Sequence, residues 1–292
     1  GAVRLSPDTR AGNWDACSGY HYNDTTLKGF SHTHLSGTGC IDLGDILFRP
    51  TTLKPDLTTE SIYQPAAFSH KDEDASAGYY SVVLKEEGIK AELTVTAHAG
   101  MHRYTFPSGK EASIIIDLTH LLDNEYIYEA ELEQTAANEI TGMRRTRGWT
   151  DNQYVYFVAQ FSKPFQAIDF IQNKKMVSAG VKLNGTDLQA CLSFDNSNGE
   201  PVIAKVGLSI VSEKNARENL ETEVIGFDFD AVRSAARSAW EQALSAITVK
   251  GGNTDDLKNF YTAMYHSMVV PNVVSDVNGE YRRHNMEIGQ LQ

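Results

Sequence analysis

From Leu5 to about Ile225 hydrophobic residues recur at every second position, and this constrains the fold more than any other feature. Ile89, Ala91, Leu93 and Val95 alternate with Lys90, Glu92, Thr94 and Thr96. Successive side chains of a strand point to opposite faces, so such a run has one buried and one wetted face. Tyr154 to Phe161 alternates in the same way, whereas Ser113-Ile114-Ile115-Ile116-Asp117-Leu118 reads as a strand buried more fully. Turn chemistry separates the runs at Pro107-Ser108-Gly109, Asn184-Gly185 and Asp195-Asn196-Ser197-Asn198-Gly199. Many short strands with frequent turns bury their apolar faces by stacking sheets, so the expected class is mainly β, a large two-sheet β-sandwich.

The period then changes. Phe229, Val232, Ala236, Trp240, Ala243 and Ile247 recur at three and four, which predicts an amphipathic helix with Asp228 as N-cap and Gly251-Gly252 as its stop. Leu257, Phe260, Tyr261, Met264, Tyr265 and Met268 form the apolar stripe of a second helix, closed by Pro271. This stripe reads as a packing face, with His266 beside it at a helix–sandwich contact. Two units follow, a β-sandwich domain over residues 1–226 and a helical segment over 227–292.

Charge narrows the partners. The 292 residues carry a formal net charge of -12, which disfavours a nucleic-acid backbone or an anionic membrane as partner. The densest basic cluster, Arg144-Arg145-Thr146-Arg147, is short and reads as a solvated loop. No apolar run is long enough to span a membrane. Three cysteines, Cys17, Cys40 and Cys191, cannot all pair within one chain; a Cys17–Cys40 disulfide and free thiols both remain open, and no zinc spacing is present.

The densest chemistry lies near the front. Asn13-Trp14-Asp15-Ala16-Cys17-Ser18-Gly19-Tyr20-His21-Tyr22 is followed by Gly29-Phe30-Ser31-His32-Thr33-His34-Leu35-Ser36-Gly37-Thr38-Gly39-Cys40. Aromatic faces stack on sugar rings or bases, imidazoles and hydroxyls hydrogen-bond polar ligands, and glycines let backbone approach closely. The segment reads as part of a polar small-molecule site with Trp14, Asp15, Ser18, His21, Tyr22, His32 and His34 as its members. Each has a structural alternative. Trp14 also suits a core position beneath a loop, and His32 and His34 suit histidines that pin the turn through backbone hydrogen bonds. Asp42 and Asp45 read as turn residues, and a metal site of His32, His34 and Glu73 lacks a third histidine.

The same residues carry a family resemblance. Leu5-Ser6-Pro7-Asp8-Thr9, the GFSHTHLSGTGC run and Asp42-Leu43-Gly44-Asp45-Ile46 resemble the N-terminal domain of glycoside hydrolase family 92, the calcium-dependent exo-α-mannosidases. Collinear matches follow at Phe68 to Glu73, Gly78 to Leu84, Ala91 to Thr96, His102 to Pro107, Arg147 to Trp149, Phe161 to Phe165 and Phe260 to Ser267. The resemblance implies a supersandwich of the galactose-mutarotase-like kind, then two α-helices leading into an (α/α)6 barrel. It implies an inverting enzyme that removes terminal α-mannose, α-1,2 linkage being its commonest specificity, from mannose-containing glycans. Acid and base, with most calcium ligands, would belong to the barrel beyond residue 292, so no catalytic residue is assigned here. The front domain would contribute pocket loops and contact its own C-terminal helical barrel. The chain opens directly into a strand-like motif, so an export signal is expected upstream, in a protein secreted, periplasmic or at the surface of a bacterium. Two further readings stay open: a non-catalytic carbohydrate-binding sandwich, and an aldose mutarotase-like enzyme using a histidine and a carboxylate.

Overall fold

A computed structural model describes residues 2–10, 14, 17–36, 41–53, 64–123, 126–177 and 182–292. Two sheets form the sandwich. The nine-stranded sheet runs Leu183–Gly185, Tyr126–Ala136, Glu139–Arg147, Gln153–Phe161, Val202–Ser209, Ala99–Thr105, Ile89–Val95, Tyr79–Leu84 and Glu73–Ser76 from edge to edge. The seven-stranded sheet runs Ser6–Asp8, Gly29–Ser31, Leu47–Thr51, Ala112–Asp117, Leu188–Phe194, Ala167–Gln172 and Lys175–Val177. Neighbouring described strands pair antiparallel, as at Ile114↔Leu192 and Leu93↔His102.

Alternation decides what faces inward. Ile114 and Ile116 meet Phe30, Phe48, Phe157 and Phe161 between the sheets, while Ile115 turns outward to Ile171 and Cys191. That outer cover explains why the whole strand Ala112–Asp117 is buried. Asn184-Gly185 is not the expected turn: both residues lie in an edge strand paired with Tyr126–Ala136, and the bend follows at residues 186–187.

Three helices follow the last long strand, one more than the periodicity predicts. α1 (Glu213–Glu223) buries Asn215, Ala216, Asn219 and Leu220 on the outer face of the nine-stranded sheet. Half of that face is polar, so no apolar stripe announced it, and the strand pattern ends at Ser209 rather than near Ile225. α2 (Phe229–Leu244) and α3 (Thr254–Val269) match the two predicted helices. Asp228 caps α2 through Ala231 N, and a capping box of Asn253 and Asp256 starts α3. Trp240 and Tyr265 bring the two helices together, with ring centroids 4.7 Å apart. His266, expected at a helix–sandwich contact, is exposed instead.

After α3 the chain returns to the sandwich through polar contacts. Asp276 accepts hydrogen bonds from Ser209 Oγ at 2.7 Å, Asn215 Nδ2 at 2.8 Å and Asn219 Nδ2 at 2.7 Å. His98 Nε2 donates to Ser275 O at 2.8 Å and its Nδ1 to Glu223 Oε1 at 2.6 Å. No described helix is long and apolar enough to cross a membrane.

Candidate functional site

The first strand delivers Asp8 to one end of the sandwich, where its carboxylate is fully buried. His34 Nε2 lies 2.6 Å from Asp8 Oδ1, and His120 Nε2 lies 2.8 Å from Oδ2. His34 Nδ1 faces Arg4 O at 2.6 Å. A carboxylate and a carbonyl only accept, so both His34 nitrogens donate and the ring is an imidazolium. Burial opposes that charge, but Asp8 outweighs it and raises the His34 pKa. Burial likewise opposes ionisation of Asp8, yet His34 and His120 hold it well below the usual carboxylate range. The pair needs Gly19: a Cβ there, at φ +80, would sit 2.1 Å from Asp8 Oδ1.

His32 belongs to a different network. It is fully buried, with Nδ1 donating to Ile46 O at 2.7 Å, so its Nε2 accepts from His102 Nε2 at 3.0 Å. His102 Nδ1 in turn accepts from Tyr104 Oη at 2.7 Å. Each donor meets one acceptor with both rings neutral. Burial lowers the His32 pKa to about 4 and pushes that of His102 well down.

A third anchor lies beside the first. Asp45 accepts from Arg144 Nε at 2.9 Å and Nη2 at 2.6 Å, and from Thr33 Oγ1 at 2.6 Å. Arg144 also donates to Leu118 O and His120 O. The basic cluster is therefore no solvated loop. It lies in strand Glu139–Arg147, whose alternation sends Arg144 inward, 1% exposed, and Arg145 outward between Tyr128 and Tyr154. An inward arginine is tolerated because a carboxylate and carbonyls satisfy its guanidinium.

These anchors tie four loops together. Cys17, Ile41 and Leu122 form one apolar cluster, and Cys17 Sγ lies 2.8 Å from Trp14 O. Asp42, next to Ile41, accepts from Leu43 N at 2.9 Å and Trp149 N at 3.1 Å. Asp42 and Asp45 are thus buried anchors rather than plain turn residues. Above this lattice stand side chains left uncovered: Trp14 is 66% exposed and Trp149 68%. The alternative that makes Trp14 a core residue does not hold in this structure.

The sequence-selected residues do not all converge. Ser18 and His21 are half-buried on the Trp14 loop, where His21 N donates to Thr9 Oγ1 at 2.8 Å. Tyr22 leaves the group and stacks on His70, centroids 4.2 Å apart. Beside it Glu73 accepts from Tyr20, Tyr80 and His70, away from the His32 and His34 partners. Asp15 lies outside the described residues, as does Cys40 and with it any Cys17–Cys40 bond. Cys191 is buried against Ile115 and Ile171. Asp8, His120, Arg144 and Trp149 are not among the selected residues; Asp8 and Trp149 lie in quoted motifs and Arg144 in the basic cluster, whereas His120 has no local signal. A cleft of about 320 Å³ on the outer face of the seven-stranded sheet is bordered by Lys28, Arg49, Asp117 and His120. None of the described sequence-selected residues lines it, so the uncovered loop end is the better candidate.

Comparison with known proteins follows the same division. Residues 1–209 match the family model for the glycosyl hydrolase family 92 N-terminal domain, and residues 215–292 match that for the family 92 catalytic domain. An uncharacterized secreted glycosidase of Arthroderma benhamiae is 30% identical over 293 aligned positions, covering 90% of this chain and 37% of that protein. Among solved structures, the family GH92 α-mannosidase BT3965 from Bacteroides thetaiotaomicron, in complex with mannoimidazole, is 37% identical with a TM-score of 0.94. It is matched over 100% of this chain and 40% of its own. The GH92 family glycosyl hydrolase ccman5 is 27% identical with a TM-score of 0.89, over 100% of this chain and 40% of that one. The chain thus spans about two fifths of the length of these relatives.

Proposed function

The chain belongs to glycoside hydrolase family 92, and from that premise we propose that the whole protein removes terminal α-mannose residues from mannose-containing glycans. In this reading α-1,2 linkages are the preferred substrate, hydrolysis inverts the anomeric centre, and the protein acts outside the cytoplasm. The likeness to an α-mannosidase solved with mannoimidazole supports the substrate class, and the relative named as a secreted glycosidase supports export.

The observation that carries this chain's part is the uncovered loop end. Trp14 presents an exposed indole whose backbone carbonyl accepts from the buried Cys17 thiol, and an aromatic face of this kind can stack on the apolar face of a sugar ring. The chain's role is to wall and orient the terminal sugar against its own C-terminal helical barrel, where acid and base would be supplied. Inversion needs a general acid and a general base on opposite sides of the ring. No such pair is assigned here: Asp8, Asp45 and Glu73 are each taken up by histidine, arginine or tyrosine donors.

Calcium belongs to the proposal for the whole protein. Among the described residues no group of three or more His, Cys, Asp or Glu could hold a metal ion, and the calcium of the proposal is assigned to the barrel. The test is to incubate the protein expressed from its complete gene with α-1,2-mannobiose and follow the anomeric protons by NMR. Release of mannose, first as the β-anomer, is expected. Release first as the α-anomer would refute inversion, and no release from any α-mannobioside would refute the activity.

A further inference from the structure

His98 sits just before the strand Ala99–Thr105, and its buried side chain joins three distant parts of the chain. Its Nδ1 lies 2.6 Å from Glu223 Oε1 at the end of α1, and its Nε2 lies 2.8 Å from Ser275 O on the segment that returns after α3. A carboxylate and a carbonyl only accept, so both ring nitrogens donate and the ring is an imidazolium. The other Glu223 oxygen accepts from His98 N at 2.8 Å and from Thr96 Oγ1, which fixes the carboxylate against the ring.

The charges around this ring depend on its proton. Asp276, next to Ser275, is buried, and its carboxylate accepts only from neutral donors on Ser209, Asn215 and Asn219. Two carboxylates therefore act on His98, Glu223 from α1 and Asp276 from the return segment, while Thr96 and Ser275 O bring no charge. Burial opposes protonation of the ring, but Glu223, Ser275 O and Asp276 outweigh it and raise the His98 pKa. Burial likewise opposes ionisation of Glu223, yet His98 and Thr96 hold its pKa down. Losing the proton removes one of the two donors and leaves both carboxylates without this cation. Other described bonds between residues 275–282 and the sandwich or α1 come from donors such as Ser209, Asn215, Asn219 and Arg282, which keep their charge state across neutral pH.

The contact also crosses the boundary between the two matched domains, since His98 lies within residues 1–209 and Glu223 and Ser275 within 215–292. We propose that His98 is a pH-sensitive latch, whose imidazolium holds the return segment on the sandwich in mildly acidic solution and whose deprotonation releases it. The sign follows from linkage. A ring with a raised folded-state pKa contributes fully below its ordinary value of about 6.5, and the contribution is lost as pH rises through the folded-state value.

The latch is tested by amide hydrogen exchange of the protein expressed from its complete gene, read by mass spectrometry as protection relative to the unstructured rate at about pH 6 and about pH 9. Residues 275–282 should lose about tenfold protection at the higher pH, the usual worth of a charge-assisted hydrogen bond. In His98→Gln the segment should be weakly protected at both pH values, because glutamine has no proton to lose. Protection that does not change with pH in the native protein, or a change that persists in His98→Gln, would overturn the proposal. Should His98→Gln fail to fold, Glu223→Gln serves instead: it weakens the hold on the ring's proton and should move the loss of protection to lower pH. A loss that stays where it is in that variant would overturn the proposal equally.

Discussion

Single buried histidines set opposite demands on pH. His32 is neutral in the folded protein, its pKa pushed down to about 4 by burial, whereas in the unfolded chain it charges near 6.5. Between those values the unfolded state binds the extra proton, so this contribution is fully present above about 6.5 and is lost as pH falls towards 4. His102 acts in the same direction, also through burial. His34 acts oppositely. Its pKa is raised because Asp8 outweighs burial, so its contribution is full below about 6.5 and fades as pH climbs through the folded-state value. His98, raised by Glu223 and Ser275 O against burial, follows His34. Urea unfolding measured across pH should therefore show greatest stability near pH 6.5, with an acid loss on the order of 3 kcal/mol from His32. A midpoint that stays flat from neutral pH down to 4 would contradict the neutral His32–His102–Tyr104 chain. The sequence made these histidines conspicuous through their spacing and glycine neighbours. It did not separate a cation paired with Asp8 from a neutral ring in the core, because that depends on partners brought in from elsewhere.

Strands and helices were legible in proportion to how apolar their buried faces are. Ile89–Val95 and α2 were plain from their periods, whereas α1 was not, since Asn215 and Asn219 share its buried face with Ala216 and Leu220. What fits α1 to the sheet is a glycine on the partner strand. A Cβ at Gly207 would lie 2.3 Å from Ala216 O and 2.6 Å from Leu220 Cβ. Replacing Gly207 by Ala should therefore lift α1 from the strand Val202–Ser209 and cost about 1–3 kcal/mol, the usual penalty of overpacking. Denaturant unfolding and faster amide exchange over residues 213–223 would register it. Unchanged stability and protection would mean that α1 adjusts without strain. The basic run at Arg144 reads as a solvated loop for a related reason: one strand sends neighbouring arginines to opposite faces, and composition cannot tell which faces the core.

For the molecule entire, the expectation is that these 292 residues alone do not turn over an aryl α-mannoside. Carboxylates of the described sandwich are engaged: Asp24 by Arg10, Asp42 by backbone N–H groups, Asp45 by Arg144, Glu73 by tyrosines and Glu92 by Arg103. A glycosidase needs two carboxyls free to flank the scissile bond. Release of nitrophenol from 4-nitrophenyl α-mannoside by the purified chain, above a heat-inactivated control, would overturn this. The layered plan of the molecule could be read without coordinates. Alternation every second residue commits a chain to sheets with one apolar face, a shift to three and four commits it to helices, and collinear motifs carried the family. Folding alone settled which members of the polar cluster became supports and which stayed on the surface. His32 meets His102 across 70 positions, Asp45 meets Arg144 across 99 and Asp8 meets His120 across 112. Local pattern encodes which face a side chain takes, but burial and hydrogen-bonding partners at such separations exist only once the sheets have stacked.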